Sequence, residues 1–542
     1  MVKYTLCNMQ LLAKILNWIL FFITLNDFSL ELHSLFDWHD FIPFQILSKK
    51  LKQMIVEILR RGYKLWYSLS EKTFYLCVIE RSKIMKNYSF KPNDEHVLDL
   101  LRTNSIGRSK YVLRFVTLLS HMEDDCYSIA LNGDWGTGKT FFIKQAKLIL
   151  DTYNPISRLP EDTRKEVKRL EQKDFNYPAN YTTVYYDAWA NDSHADPILS
   201  LIYATISSNQ SDYTVARQRD IGNAAAAIAD AITGRDISNA LKSLSGTDQL
   251  SLIKEKESIK KLVKDFIDAL INEHGDRLVI FIDELDRCKP DYALSLMERI
   301  KHFFDDERVT FVFAVNLSQL QHMVKSYYGF AFDATRYLDK FFDIQMTLPH
   351  VDYEKFLTVQ LELPTQFSSD AVCIETAKYF RFSLREMERY VRLYKIARKA
   401  LTNIRTGFST QNGHAFSAMY FAPIILGLQM SDVTSFKNFV SGRDCGPLLE
   451  ILLSPNIGIN SKLLCNQNEV FDESERLFKS SNGNSVSLKD RLKEVYDTMF
   501  TNSLGSGYRK INIGQLSFSE STRTAIEEIT SLLSSNSDYD FD

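Results

Sequence analysis

Little in this sequence would hold a fold together covalently or through metal. Its seven cysteines stand apart at positions 7, 77, 126, 288, 373, 445 and 465, with no C-x-x-C pair and no Cys/His cluster at zinc spacing. That sets aside disulfide scaffolds and zinc ribbons, and fits a reducing compartment. An excess of charge is missing too: 65 basic against 68 acidic residues leave a net charge of −3. There is no whole-molecule electrostatic case for nucleic acid, a local patch aside. Long hydrophobic runs are equally scarce. Only residues 5–25 approach the length of a bilayer span, and Asn8, Lys14 and Asn17 interrupt them. They leave open a membrane span, an interfacial helix or a buried core helix. Lys49, Lys50, Lys52, Arg60, Arg61 and Lys64 would lean the far side of a span toward the cytoplasm, and no small-residue cleavage site marks a secretory signal. Residues 1–84 read as a hydrophobic and basic extension, with a start-site artefact as the alternative, because an ordinary polar leader begins at Met85.

What is present is a phosphate loop. Leu131-Asn-Gly-Asp-Trp-Gly-Thr-Gly-Lys-Thr140 contains a full G-x-x-x-x-G-K-[ST]. An apolar run from Tyr127 to Leu131 precedes it as a strand, and Phe141 to Leu150 follows as a helix. Glycines at 133, 136 and 138 let successive N–H groups turn inward, making an anion nest continuous with the positive end of that helix. The nucleotide-binding set is therefore Gly133, Asp134, Trp135, Gly136, Thr137, Gly138, Lys139 and Thr140. Lys139 can reach the β- and γ-phosphates, and the Thr140 hydroxyl is placed to ligate Mg²⁺.

A chain of 542 residues suggests two to four domains, and the pattern downstream is α/β. A short helix is expected over Glu161 to Lys173, and Tyr181 to Trp189 reads as a second parallel strand. Trp189 would then lie at a carboxyl end, either near nucleotide or as packing. A helix starts at Pro197, residues 209–246 read as a mobile helical insertion, and Leu252 to Ile271 carries an amphipathic stripe. Arg277-Leu-Val-Ile-Phe-Ile-Asp-Glu-Leu-Asp-Arg-Cys288 is a buried strand ending in carboxylates. Asp283 is the expected Mg²⁺ ligand and Glu284 the group that polarises the attacking water. Val309 to Val315 leads to Asn316, which could orient that water, and Phe342 to Leu348 completes the sheet. Arg336 or Lys340 could act on phosphate as a finger, in its own subunit or a neighbour's, or could decorate a solvated helix face.

The phosphate loop, the Tyr-Asp-Ala-Trp strand end, Ile-Asp-Glu-Leu-Asp-Arg-Cys at 282–288, Phe-Ala-Val-Asn at 313–316 and Tyr-Leu-Asp-Lys-Phe-Phe at 337–342 together resemble the KAP family of P-loop NTPases. The likeness spans about residues 97–400. It implies an additional-strand P-loop fold, ATP as nucleotide, Asp286 and Arg287 as accessory residues, and a helical lid from about residue 353 with Arg385 as its sensor. Arg389 and Arg392 share that helix, so ordinary surface pairing is the alternative. It also implies a soluble bacterial branch, because the insertion is short of apolar residues, and a regulatory ATPase working with protein partners or as a homo-oligomer, in phage defence among its relatives.

Residues 401–533 read as a helical C-terminal domain with loops at Ser480 to Ser487 and Thr501 to Gly507, and 534–542 as an acidic, disordered tail. The competing functions are a nucleotide-dependent switch or scaffold with little turnover, a nucleic-acid-stimulated ATPase and a small-molecule kinase. The Asp283-Glu284 pair favours water over a kinase acceptor.

Overall fold

The computed structural model describes residues 92–531, apart from 123–125, 156, 158, 171–179, 210–214, 243–248, 272–274, 364–367, 404–412 and 502–509. The expectations for residues 1–84, the 5–25 stretch and the 534–542 tail lie outside the described residues. Asn93 opens the first helix, α1 (Asp94–Thr103), its Oδ1 accepting from the His96 N–H at 2.9 Å. Helix α2 (Ser109–Ser120) leads to β1 (Tyr127–Asn132), the phosphate loop and α3 (Lys139–Tyr153). After α4 (Glu161–Lys168), strand β2 (Tyr181–Asp187) stops short of Trp189, which sits on a 3₁₀ turn. Helices α5 (Pro197–Asn209), α6 (Val215–Lys242) and α7 (Gln249–Ile271) precede β3 (Arg277–Asp283). Then come α8 (Pro290–Phe303), β4 (Val309–Val315), α9 (Leu317–Tyr328), α10 (Ala334–Leu338) and β5 (Ile344–Thr347).

The five strands form one parallel sheet in the order β2-β3-β4-β1-β5. Strand β3 is buried along its whole length because it is apolar on both faces. Its side chains alternate between two cores: Val279 and Phe281 join Phe115, Phe142 and Ile149 of α2 and α3, whereas Ile280 and Ile282 join Ile198, Phe266 and Met297 of α5, α7 and α8. The insertion is a long helix whose Ile221 and Ile228 are buried in that second core, α6 lying against α7. The insertion is thus helical, as expected, and its helix packs on α7.

Beyond β5, α11 (Ser368–Tyr379) and α12 (Leu384–Asn403) lead into a helical C-terminal region: α13 (Gly413–Tyr420), α14 (Ala422–Ser431), α15 (Val433–Val440) and α16 (Gly446–Leu452). Strands appear where only loops were expected. The order β6-β7-β8 (Glu469–Asp472, Leu477–Ser480, Ser485–Ser487) makes an antiparallel sheet, so the expected Ser480 to Ser487 loop is a hairpin turn with paired flanks. Helix α17 (Leu488–Phe500) and the hairpin β9-β10 (Ile511–Ile513, Leu516–Phe518) follow, then α18 (Glu520–Ser531). Among the described residues no helix is long and apolar enough to cross a membrane.

Candidate nucleotide site

The loop leaves β1 between the carboxyl ends of its two neighbours. Gly133 N–H donates to Val315 O of β4 at 3.1 Å, and Leu348 N–H, just past β5, donates to Asn132 O at 2.8 Å. Gly136 and Gly138 adopt φ of +76° and +94°, which a side chain would resist. Space forbids one as well: a Cβ on Gly136 would stand 3.0 Å from Ser383 Oγ, and one on Gly138 2.7 Å from Leu384 Cδ1. The start of α12 therefore rests directly on the loop. It is fixed there by a reciprocal cap: Ser383 N–H donates to Glu386 Oε2 at 2.8 Å and Glu386 N–H to Ser383 Oγ at 3.3 Å. Arg385 N–H reaches Gly136 O at 3.4 Å while its side chain is exposed.

Lys139 is buried and its Nζ donates to Gly133 O at 2.6 Å and Asp134 O at 3.3 Å. Burial lowers its pKa, against the pull of Asp286, Asp283 and Glu284. Next to it, the Thr140 hydroxyl hydrogen-bonds the Asp283 carboxylate. Asp283 is 1% exposed; Tyr185 OH donates to its Oδ2 at 3.0 Å and Glu284 N–H to its Oδ1 at 3.0 Å. Burial raises this carboxyl's pKa, against the hydrogen bonds from Thr140, Tyr185 and the Glu284 N–H and the charge of Lys139. A threonine hydroxyl beside one buried carboxylate suits Mg²⁺, which keeps waters and phosphate oxygens as its remaining ligands. Glu284 follows with φ of 59°, its pKa pushed up to about 7 by burial and the neighbouring Asp283 charge, while Arg287, with which it pairs, pulls it down. Asn316 caps α9 by accepting from Gln319 N–H, and its Nδ2 donates to Asp134 Oδ1 at 3.2 Å.

So the structure brings together Lys139, Thr140, Asp283, Glu284 and Asn316, with the backbone of Arg385 alongside. Arg336 stands apart. It lies on α10, in the connection that returns the chain to the amino end of β5, with its side chain 87% exposed and facing Asp333 at 3.5 Å. Trp189 is also not core: it is 53% exposed, with the Arg287 guanidinium 5.6 Å from its ring centre. Trp135, in the loop itself, donates from Nε1 to Asp286 Oδ2 at 2.7 Å.

A model of the KAP family P-loop domain matches residues 108–401, more than half of the chain. The chain belongs to the KAP family. As a KAP P-loop domain it is a nucleotide-binding NTPase domain, and the parallel sheet with its loop after β1 has the matching architecture. Among curated proteins, an uncharacterised protein of Methanocaldococcus jannaschii is 41% identical over 56 residues, which cover 9% of this chain and 29% of that protein. The chain thus spans under a third of the length of the curated relative it matches. Among solved structures, the Aeropyrum pernix ORC2 protein, in ADPNP–ADP complexes, aligns with 74% of this chain and 94% of its own at 13% identity and a TM-score of 0.27.

Two KAP-domain residues at this site, Arg108 and Tyr185, escaped the sequence reading. Arg108 is 5% exposed, donates from Nε to Pro349 O at 2.6 Å and from a terminal nitrogen to Thr137 O at 2.7 Å, and so braces the loop from behind. An isolated arginine ahead of α2 carries no signal of this in the sequence. Tyr185 could have been found by strand alternation, since it shares a face with Asp187, which lies opposite Asp283. Ser383 was placed at the opening of the lid helix by the family resemblance, and its Ser-x-x-Glu spacing to Glu386 is that of the cap described above.

Proposed function

We propose that this protein is a Mg²⁺-dependent ATPase in which Glu284 takes the proton of the attacking water. The observation that carries the reading is the Thr140–Asp283 hydrogen bond beside Lys139, with Glu284 next in the chain. Loop N–H groups and Lys139 hold the triphosphate. Thr140 and Asp283 would hold Mg²⁺, which would supply positive charge beside the phosphate oxygens. Asn316, anchored on Asp134, orients the water. Water oxygen bonds the γ-phosphorus as the bond to the bridging oxygen of ADP breaks, and the water proton passes to Glu284.

The NTPase domain occupies about residues 97–400, its helical lid starts near residue 353, and residues 401–533 form the C-terminal domain. Arg385 serves as lid sensor, because its helix already rests on Gly136. Arg336 serves as a finger on a neighbouring copy's phosphates, since its exposed side chain lies on the return to the amino end of the sheet. The family context favours a prokaryotic regulatory role in phage defence. Steady-state phosphate release from ATP with Mg²⁺ tests the chemistry. Lys139→Ala should lose binding, and Glu284→Gln should keep ATP affinity while turnover falls by about 100-fold or more. Equal turnover in Glu284→Gln and the parent protein would refute the assignment.

A further inference from the structure

Two exposed tryptophans contact the segment Asp283 to Arg287. Glu284 is the N-cap of the 3₁₀ turn Leu285–Arg287 and holds a left-handed backbone conformation that its neighbours must enforce. Arg287 N–H donates to Glu284 O at 3.1 Å, and the Arg287 guanidinium pairs with the Glu284 carboxylate. Behind that guanidinium lies the Trp189 ring at 5.6 Å, on the turn that follows β2. Trp135, from the phosphate loop, donates from Nε1 to Asp286 at 2.7 Å. Tryptophans this exposed, 47% for Trp135 and 53% for Trp189, serve contacts to charged side chains here and not a core.

A carboxylate that takes a proton from water must offer it a lone pair. The Arg287 Nε pairs with Oε2 of Glu284, so the guanidinium, itself beside the Trp189 ring, fixes the direction in which the carboxylate offers its other oxygen. The Trp135–Asp286 bond connects the phosphate loop to the same short turn, so any shift of the loop backbone at residue 135 reaches Arg287 through two residues of 3₁₀ turn.

We propose that Arg287 is a positioning residue that parks Glu284 against the Trp189 side of the site, and that occupation of the phosphate loop, passed through Trp135 and Asp286, releases the carboxylate for hydrolysis. This rests on Glu284 being the water-activating base. The clamp sets a low idle rate, and Trp189 is its outer wall.

The test uses the full chain with Mg–ATP and compares Arg287→Ala, Arg287→Gln, Trp189→Ala, Glu284→Gln and the double variant Arg287→Ala/Glu284→Gln. Freeing the base should raise kcat about threefold or more in both Arg287 variants, with the Kd for ATP within about twofold. Trp189→Ala should move kcat the same way by a smaller factor, and the double variant should fall to the Glu284→Gln level. If the parent protein shows no turnover, measurable turnover in Arg287→Ala takes the place of the increase. A fall or no change in kcat for both Arg287 variants at unchanged Kd overturns the proposal, as does an increase that survives in the double variant. Should the Arg287 variants fail to bind ATP, Trp189→Ala decides: a rise supports the clamp and anything else rejects it. Unaltered turnover in Glu284→Gln alone rejects the base and leaves the clamp without an object, a distinct result.

Discussion

Arg108→Met removes the guanidinium behind the phosphate loop while keeping a long side chain in its place. Two charge-assisted bonds are lost, at 2.6 Å to Pro349 O and 2.7 Å to Thr137 O. At about 1.5–3 kcal/mol net for each, they stabilise the fold by about 3–6 kcal/mol. Burial works against the charge. It lowers the guanidinium pKa from 12.5 to about 10, which corresponds to roughly 3 kcal/mol against the charged form. Both folded and unfolded states are protonated at neutral pH, so this cost persists there undiminished. The difference leaves Arg108 stabilising the empty protein by about 0–3 kcal/mol, a small return for a buried cation that, among the described residues, has no carboxylate partner. A polyanion on the loop supplies the missing counter-charge. Urea unfolding should therefore register a modest loss in Arg108→Met, whereas the Kd for ATP should weaken by about tenfold or more, about 1.4 kcal/mol. Arg108→Lys, which keeps the charge but cannot span both carbonyls, should fall between. A Kd within about twofold of the parent value, together with a large drop in the urea midpoint, would show that Arg108 is a brace and nothing more.

Two further predictions concern the C-terminal region. Arg491 is 4% exposed, donates to both Glu469 oxygens at 2.9 Å and to Glu494 at 3.1 Å, so Arg491→Met should cost about 3–5 kcal/mol in urea unfolding by stranding Glu469; a loss below about 1 kcal/mol would contradict this. Gly427→Ala on α14 would place a Cβ 2.4 Å from Thr376 Cγ2 and 3.0 Å from the Phe380 ring, and should cost about 1–3 kcal/mol; a calorimetric transition at the parent temperature would refute it.

The sheet was readable because parallel strands buried on both faces are continuous apolar runs, and Val279 to Ile282 or Phe311 to Val315 admit no other reading. The phosphate loop and the Asp283-Glu284 end were readable because their chemistry fixes residue types at fixed spacing. The β6-β7-β8 sheet was not, since Glu469–Asp472 and Ser485–Ser487 are short, polar and half exposed, and their pairing depends on partners elsewhere in the chain. The packing of helix α6 on α7 was not legible either, because its alanines hide a sparse stripe, Ile221 and Ile228. Arg108 illustrates the deeper limit: its partners are backbone carbonyls of residues 137 and 349, and no local pattern encodes them.

The seating of α12 on Gly136 has a mechanical consequence. With twenty residues that helix is a stiff rod of roughly 30 Å. Its amino end touches the loop, while farther along Tyr390 donates to Pro423 O of α14 and Tyr394 to Asp370 of α11. A pivot of roughly 5° at the loop would sweep the far end through about 2.5 Å. That stroke exceeds what a close-packed interface absorbs without changing partners. The helix thus ties the phosphate loop mechanically to the packing of α11 and α14.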